Sequence, residues 1–259
     1  MLRCVIGLVV AAFAIISAGS ASAQSPQKWN GPYIGANMGY GWADIDGSIT
    51  VLNPSGVPIA HGPLNYSIDP EGMFGGVQIG INRRDGRLFA GIEADFQGAD
   101  ISGSSKTSFP GQPNVISAFN YSASASMDWF TTVRGRLGIA TDDMLIYVTG
   151  GVAVGNVDYN AKYLITGNNA FAHVNTSETR IGYVLGAGIE RALRSNWSLK
   201  LEYQYINFGD QQAQGALFFA NGCPSGETVT TRFDTDIHSV RVGLNYHFHS
   251  TPQHDPLKP

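Results

Sequence analysis

Apolar and polar residues alternate with a period of two again and again along the chain. Eight segments carry the alternation: 33–42, 72–82, 88–97, 127–140, 144–156, 179–192, 197–208 and 237–248. In the clearest, Leu88, Ala90, Ile92, Ala94 and Phe96 oppose Phe89, Gly91, Glu93, Asp95 and Gln97. In the last, Val240, Val242, Leu244, Tyr246 and Phe248 oppose Ser239, Arg241, Gly243, Asn245 and His247. Successive side chains of a strand point to opposite faces, so each segment is predicted as a half-buried β-strand. Each has roughly the ~9–11 residues with which a tilted strand crosses a bilayer. The connections alternate in length. Those at 83–86, 141–143 and 193–196 are tight, and those at 43–71, 99–120, 157–178 and 209–236 are long and rich in Ser, Asn, Gly and Pro. Short turns on one side and long loops on the other predict an all-β fold. It is an eight-stranded antiparallel transmembrane β-barrel with short periplasmic turns and four long extracellular loops.

The first residues are a separate element. Arg3 precedes an apolar run at 5–16, and Ala21-Ser22-Ala23 supplies the small residues of a cleavage site. Residues 1–23 are expected to be a cleaved signal peptide. The run is too short for a spanning helix, which needs ~20 apolar residues. Cys4 precedes the run, which argues against a lipoprotein. The barrel is expected over 24–248, with a short flexible tail at 249–259.

The apolar face carries aromatics near the strand ends. Trp42, Phe96 and Trp129 would form one girdle at the extracellular boundary, and Trp197, Tyr246 and Phe248 one at the periplasmic boundary. The opposite face is small or charged. An Arg facing lipid at midplane costs roughly 2–4 kcal/mol, so Arg134 and Arg136 are expected to point inward. The lumen would then hold Glu93, Asp95, Glu190 and Glu202 against Arg134, Arg136, Lys200 and Arg241, with Arg180 a further candidate. Glu93 and Asp95 would face Arg134 and Arg136 on the next strand. Eight strands leave an interior just wide enough for side chains, so the expectation is a paired, largely plugged lumen.

Composition narrows the classes. Charged residues make up only 14% and aromatics 11%, unlike a disordered chain. Removing Arg3 with the signal leaves 15 − 20 = −5, which argues against a nucleic-acid partner. Cys223 is then the one remaining cysteine, so no internal disulfide can form.

Three stretches carry a family likeness: Trp29-Asn30-Gly31-Pro32-Tyr33-Ile34-Gly35; Gly186-Ala187-Gly188-Ile189-Glu190 followed by Trp197 to Tyr205; and Val240 to Phe248. The chain resembles the outer-membrane β-barrel family that includes the small surface immunogenic and porin-like proteins of alphaproteobacteria. The resemblance implies a Gram-negative cell outer membrane. It also implies that Gly243, Tyr246 and Phe248 form an assembly signal read by the outer-membrane insertion machinery. The terminal aromatic of that signal usually closes the chain, whereas here 249–259 follow.

Other chemistry is sparse. His247, His249 and His254 cluster near the C-terminus, but a flexible tail gives no converging metal geometry, and no metal or cofactor is expected. Asp234, Asp236, His238 and Ser239 are the best hydrolytic candidates. His238 and Ser239 are adjacent on a strand and so point to opposite faces, and no enzyme is expected. The glycine-rich stretches lack a phosphate-loop pattern. The expected function is an integral outer-membrane structural and surface protein with a charge-plugged lumen. The alternatives are a small porin passing ions or small solutes, and an adhesin or ligand-binding protein acting through its extracellular loops. The expected partners are outer-membrane lipid, the assembly machinery, and a host or extracellular ligand met by the loops.

Overall fold

The computed structural model describes residues 29–58, 64–109, 118–165, 170–193, 196–219 and 221–248. The expected signal peptide at 1–23 and tail at 249–259 lie outside the described residues. Nine strands, and no helix, are present among those described: β1 (Gly31–Leu52), β2 (Leu64–Ile68), β3 (Glu71–Asp85), β4 (Leu88–Phe109), β5 (Phe119–Ala140), β6 (Met144–Ile165), β7 (Ala170–Ala192), β8 (Trp197–Phe218) and β9 (Pro224–His247). β1 and β3 to β9 pair antiparallel in chain order, and β9 pairs back onto β1, with Tyr33 opposite His247. Eight strands thus close a ring of ladder hydrogen bonds. β2, which the alternation did not predict, extends β3 along β1 past Asp69 and Pro70.

Strand length departs from expectation. β1, β4, β5, β6 and β8 each have 22 residues, and β9 has 24. The strands run deep into all four segments expected to be long loops. The reason is an inversion within the long strands. In the half nearer the tight turns, large apolar residues face out and polar ones face in. In the other half the apolar residues face in and Ser, Asn and Asp face out. On β6, Ile146, Val148 and Val152 are exposed, whereas Val157, Tyr159, Ala161 and Tyr163 are buried. On β5, Tyr121, Ala123, Ala125 and Met127 are buried while Asn120 and Ser124 are exposed. A register shift between Ser126 and Phe130 changes the phase there, as a β-bulge does.

Beyond the inversion the ring divides into two sheets. β4 pairs with β3 only as far as Ser102, and its remainder pairs with β5. β7 and β8 lose pairing between Tyr183 and Ala172 and meet again at the tip, where Phe171 lies opposite Phe218. One sheet is therefore β4-β5-β6-β7 and the other β2-β1-β9-β8. Their inner faces pack on each other. Tyr159 stacks on Phe233 with ring centroids 4.5 Å apart, and Tyr66 meets Tyr121 at 5.1 Å. The three phenols share hydrogen bonds, Tyr121 to Tyr159 at 2.6 Å and Tyr159 to Tyr66 at 2.7 Å. Burying such side chains contributes roughly 1.5–3 kcal/mol each, which is what holds a two-sheet layer together without a closed ring.

The interior is layered. Trp29, Phe89, Leu145, Tyr147, Ala140 and Ala192 close the end with the tight turns. Charged and amide side chains follow. Above them lies an apolar layer that includes Phe74, Phe130, Val184, Ile206, Phe208 and Ile237. The tyrosine-rich core of the two sheets completes the stack.

Candidate functional site

The charged layer is the densest concentration of ionisable side chains among the described residues. Alternation places its members. Glu93 and Asp95 are two residues apart on β4, Arg134 and Arg136 on β5, and Lys200 and Glu202 on β8, with Glu190 from β7 and Arg241 from β9. All eight side chains are 0% exposed. Four carboxylates face four cations, so the layer is neutral when His247 is neutral.

The pairing reaches across the ring as well as between neighbours. Register sets Glu93 opposite Arg134, and the two are ion-paired. Arg134 also meets Asp95 at 2.7 Å and, from the far wall, Glu202 at 2.6 Å. Arg241 holds Glu202 at 2.7 Å, Glu93 at 3.1 Å and Asp95 at 3.2 Å. Lys200 donates to Glu93 at 2.9 Å. Arg136 lies opposite Gly91, and its short ion pair is to Glu190, at 2.7 Å, with Glu93 farther at 3.5 Å. Neighbouring-strand pairing thus describes Arg134 but not the main partner of Arg136. Arg180 stands apart from the layer, half-buried and paired with Glu178.

Neutral side chains complete the layer. Tyr33 donates to Glu93 at 2.7 Å and accepts from Arg136 at 2.6 Å. Tyr147 donates to Glu202 at 2.6 Å, and the Arg136 guanidinium lies 4.1 Å over its ring. Glycine makes room for both rings. A Cβ at Gly80 would strike the Tyr33 ring, and one at Gly188 would sit 2.6 Å from Tyr147. His247 belongs here too. It is buried, 2.8 Å from the Ser198 hydroxyl and 3.3 Å from Glu190, beneath the edge of Trp29. Asn245 donates to Glu190 at 2.7 Å. Alternation had put Tyr33, Asn245 and His247 on the inward face. No local signal marked Tyr147, because both faces of its segment are apolar or small. His249 and His254 lie outside the described residues.

The aromatic candidates lie on the outer face. Phe96 stacks on Trp129 at 6.2 Å and Trp42 on His238 at 6.0 Å, where the apolar band meets the polar half. At the turn end Trp197 meets Tyr246 at 5.2 Å, and Tyr246 meets Phe248 at 5.1 Å. Gly243 faces inward beside Lys200. Ser239 is buried inside while His238 faces out and bonds the Tyr203 hydroxyl at 2.7 Å, so the two are not within reach of each other. Just above the upper girdle Asp210 lies directly opposite Asp234. A hydrogen bond between the carboxyls, helped by partial desolvation and mutual repulsion, holds Asp234 above the usual carboxylate range.

A closed antiparallel ring with an apolar outer band, aromatic borders and an ionised interior defines an outer-membrane β-barrel protein. The chain belongs to the outer membrane protein beta-barrel domain family, whose profile matches residues 11–248. It is similar to the 31 kDa outer-membrane immunogenic protein of Brucella melitensis, 32% identical over 92% of this chain and 93% of that protein. The 25 kDa outer-membrane immunogenic protein of Brucella abortus is 26% identical over 86% of this chain and 82% of that protein. Among solved structures, the outer membrane protein OprG of Pseudomonas aeruginosa aligns with 85% of this chain and 97% of its own, at 11% identity and a TM-score of 0.44. The protein is accordingly an outer-membrane protein.

Proposed function

We propose that this chain is an eight-stranded transmembrane barrel with a closed lumen, acting as a structural and surface protein of the envelope. The tight turns would stand in the periplasm and the two-sheet half outside the cell. Leu88 to Phe96 span nine residues of outward apolar chain on β4. At ~3.3 Å per residue and a tilt near ~40° that is ~23 Å, the height of a lipid-facing band. Outer-membrane lipid is then the partner of that band. The assembly machinery would read Gly243, Tyr246 and Phe248.

The observation that carries the closed-lumen reading is the sealing of the charged layer from both ends. Trp29, Phe89 and Leu145 lie below it, and Phe74, Phe130 and Phe208 above. An ion entering would have to pass an apolar layer and then separate buried pairs whose partners have no water to fall back on. This favours the plug over the porin reading. The experiment is single-channel conductance of residues 24–259 refolded in a planar bilayer, with insertion shown by heat-modifiable gel mobility. Inserted but silent protein is the expected result. Discrete, reproducible steps would overturn the reading in favour of a small porin.

A second reading, recognition at the surface, is favoured by the length of the strands. Their outer halves form a packed two-sheet body, which presents side chains on a rigid scaffold.

A further inference from the structure

The outward face of the β4-β5-β6-β7 sheet has an unusual charge distribution. Residues 101–127 and 159–177 contain Lys106, Lys162 and His173 and no Asp or Glu, although the whole chain carries a net charge of −4. The acids stop abruptly at the border. Asp100, Asp128, Asp158 and Glu178 are the residues immediately flanking those two segments. The structure turns this sequence pattern into a surface. Lys106 lies opposite Ser122, Ser122 opposite Lys162, and Lys162 opposite His173, so one row crosses four strands. Lys106, Lys162 and His173 are exposed.

The rows on either side supply hydrogen-bonding and stacking groups. On the membrane side are Ser104, Ser124, Asn160 and Asn175, paired in that order. On the tip side the row ends in Leu164, Phe171 and Phe218, and the two phenyl rings stack at 6.0 Å. Neighbouring strands are ~4.8 Å apart, so Lys106 and Lys162 stand ~10 Å apart, about the spacing of anionic groups on successive disaccharides. The face is a continuous four-strand antiparallel ladder. It offers hydroxyls and amides to sugar hydroxyls, ammonium groups to acidic substituents, and an aromatic edge to a sugar's C–H face.

We infer that this face binds an anionic glycan, a sugar polymer bearing sulfate, phosphate or carboxylate groups. The inference rests on the reading that this half of the chain stands outside the cell. The glycan has two sources, the cell's own lipopolysaccharide or a sulfated polysaccharide met outside. The acidic border lies between the cationic row and the membrane. It opposes phosphates close to the bilayer and so favours a chain approaching from outside.

The test uses residues 24–259 refolded in vesicles of neutral phosphatidylcholine. Heparin is one probe, purified lipopolysaccharide from the same bacterium a second, and neutral dextran the control. Binding to heparin that weakens with added salt is expected, with none to dextran. The double variant Lys106→Gln/Lys162→Gln should lower that affinity about ten-fold, whereas Arg232→Gln on the other sheet should leave it unchanged. Lipopolysaccharide binding without heparin binding overturns the external source and assigns the face to the cell's own glycan. No binding to either, or binding that ignores the lysine pair, overturns the inference. Topology is checked separately by labelling Lys162→Cys, in a Cys223→Ser background, on intact cells with an impermeant maleimide. Labelling with no glycan binding removes only this inference. Labelling that requires permeabilised cells removes the proposed orientation as well.

Discussion

Arg134 on β5 donates from Nη1 to Oε1 of Glu202 on β8, 2.6 Å away across the interior and 68 residues distant in sequence. Both side chains are fully enclosed, so the pair joins opposite walls of the ring. Glu202 is also held by Arg241 and Tyr147. Truncating it leaves four buried cations sharing three carboxylates, one positive charge uncompensated, whereas truncating both members of the pair keeps the layer neutral.

Glu202→Ala is therefore expected to destabilise the refolded protein by about 3–5 kcal/mol, read from urea unfolding in vesicles. The double variant Arg134→Met/Glu202→Gln should cost less than the sum of its single changes, since neither charge is left alone. Additive costs would show that the two side chains do not interact as placed.

Conductance should respond to the apolar layer as well as to the charges. Phe74 and Phe130 meet ring to ring at 5.3 Å above the charged layer. Arg134→Ala alone is expected to stay silent in a bilayer. Arg134→Ala combined with Phe74→Ala and Phe130→Ala above the layer and Trp29→Ala and Phe89→Ala below it should pass current, because water then reaches the vacated space from both ends. Current through the single variant would mean that the phenyl layer does not seal.

Much of the membrane half was legible in sequence because two solvents impose a strong alternation on it. On β4, lipid takes Leu88, Ile92 and Phe96 while the interior takes Glu93, Asp95 and Gln97. The outer half was hidden because its contrast is between small and polar residues. The run from Phe119 to Met127 alternates Tyr and Ala with Asn and Ser, which looks like loop composition, and the bulge after Ser126 breaks its phase. The partners inside the ring were only partly legible. Register between adjacent strands gives Glu93 with Arg134, but Arg136 with Glu190 and Arg134 with Glu202 depend on the ring's width and on the tilt of each strand. The charge border at Asp100, Asp128, Asp158 and Glu178 was present in the sequence all along, yet it becomes a surface feature only once these segments are strands of one sheet.

Gly188 separates a packing requirement from mere strand propensity. A Cβ there would sit 2.6 Å from the Tyr147 ring and 3.0 Å from the Leu201 carbonyl, and the ring cannot retreat because Arg136 lies over it. Gly188→Val should leave most of the protein in the unfolded band on a heat-modifiability gel. Gly135 faces outward, and its Cβ would come no nearer than 3.8 Å to the Gly150 carbonyl. Gly135→Val should fold like the parent, within about 1 kcal/mol. Equal behaviour of the two variants would argue against the placement of Tyr147.

Asp210 and Asp234, facing each other across β8 and β9, make an unusual contribution to stability. Asp234 is held above the usual carboxylate range, first by its hydrogen bond to the Asp210 carboxyl and then by desolvation and the like charges of Asp210 and Asp236. A raised acid binds its proton more tightly in the folded chain than in the unfolded one. Its contribution therefore grows as pH falls through the folded value and is complete below the unfolded value, the reverse of a salt-bridged carboxylate. Asp234 is largely exposed, so solvent screening keeps the effect to a few tenths of a kcal/mol. Asp210→Asn should lower the Asp234 midpoint in a carboxyl-carbon NMR titration and raise stability slightly at neutral pH. An Asp234 midpoint that does not move would show that the two carboxyls do not share a proton.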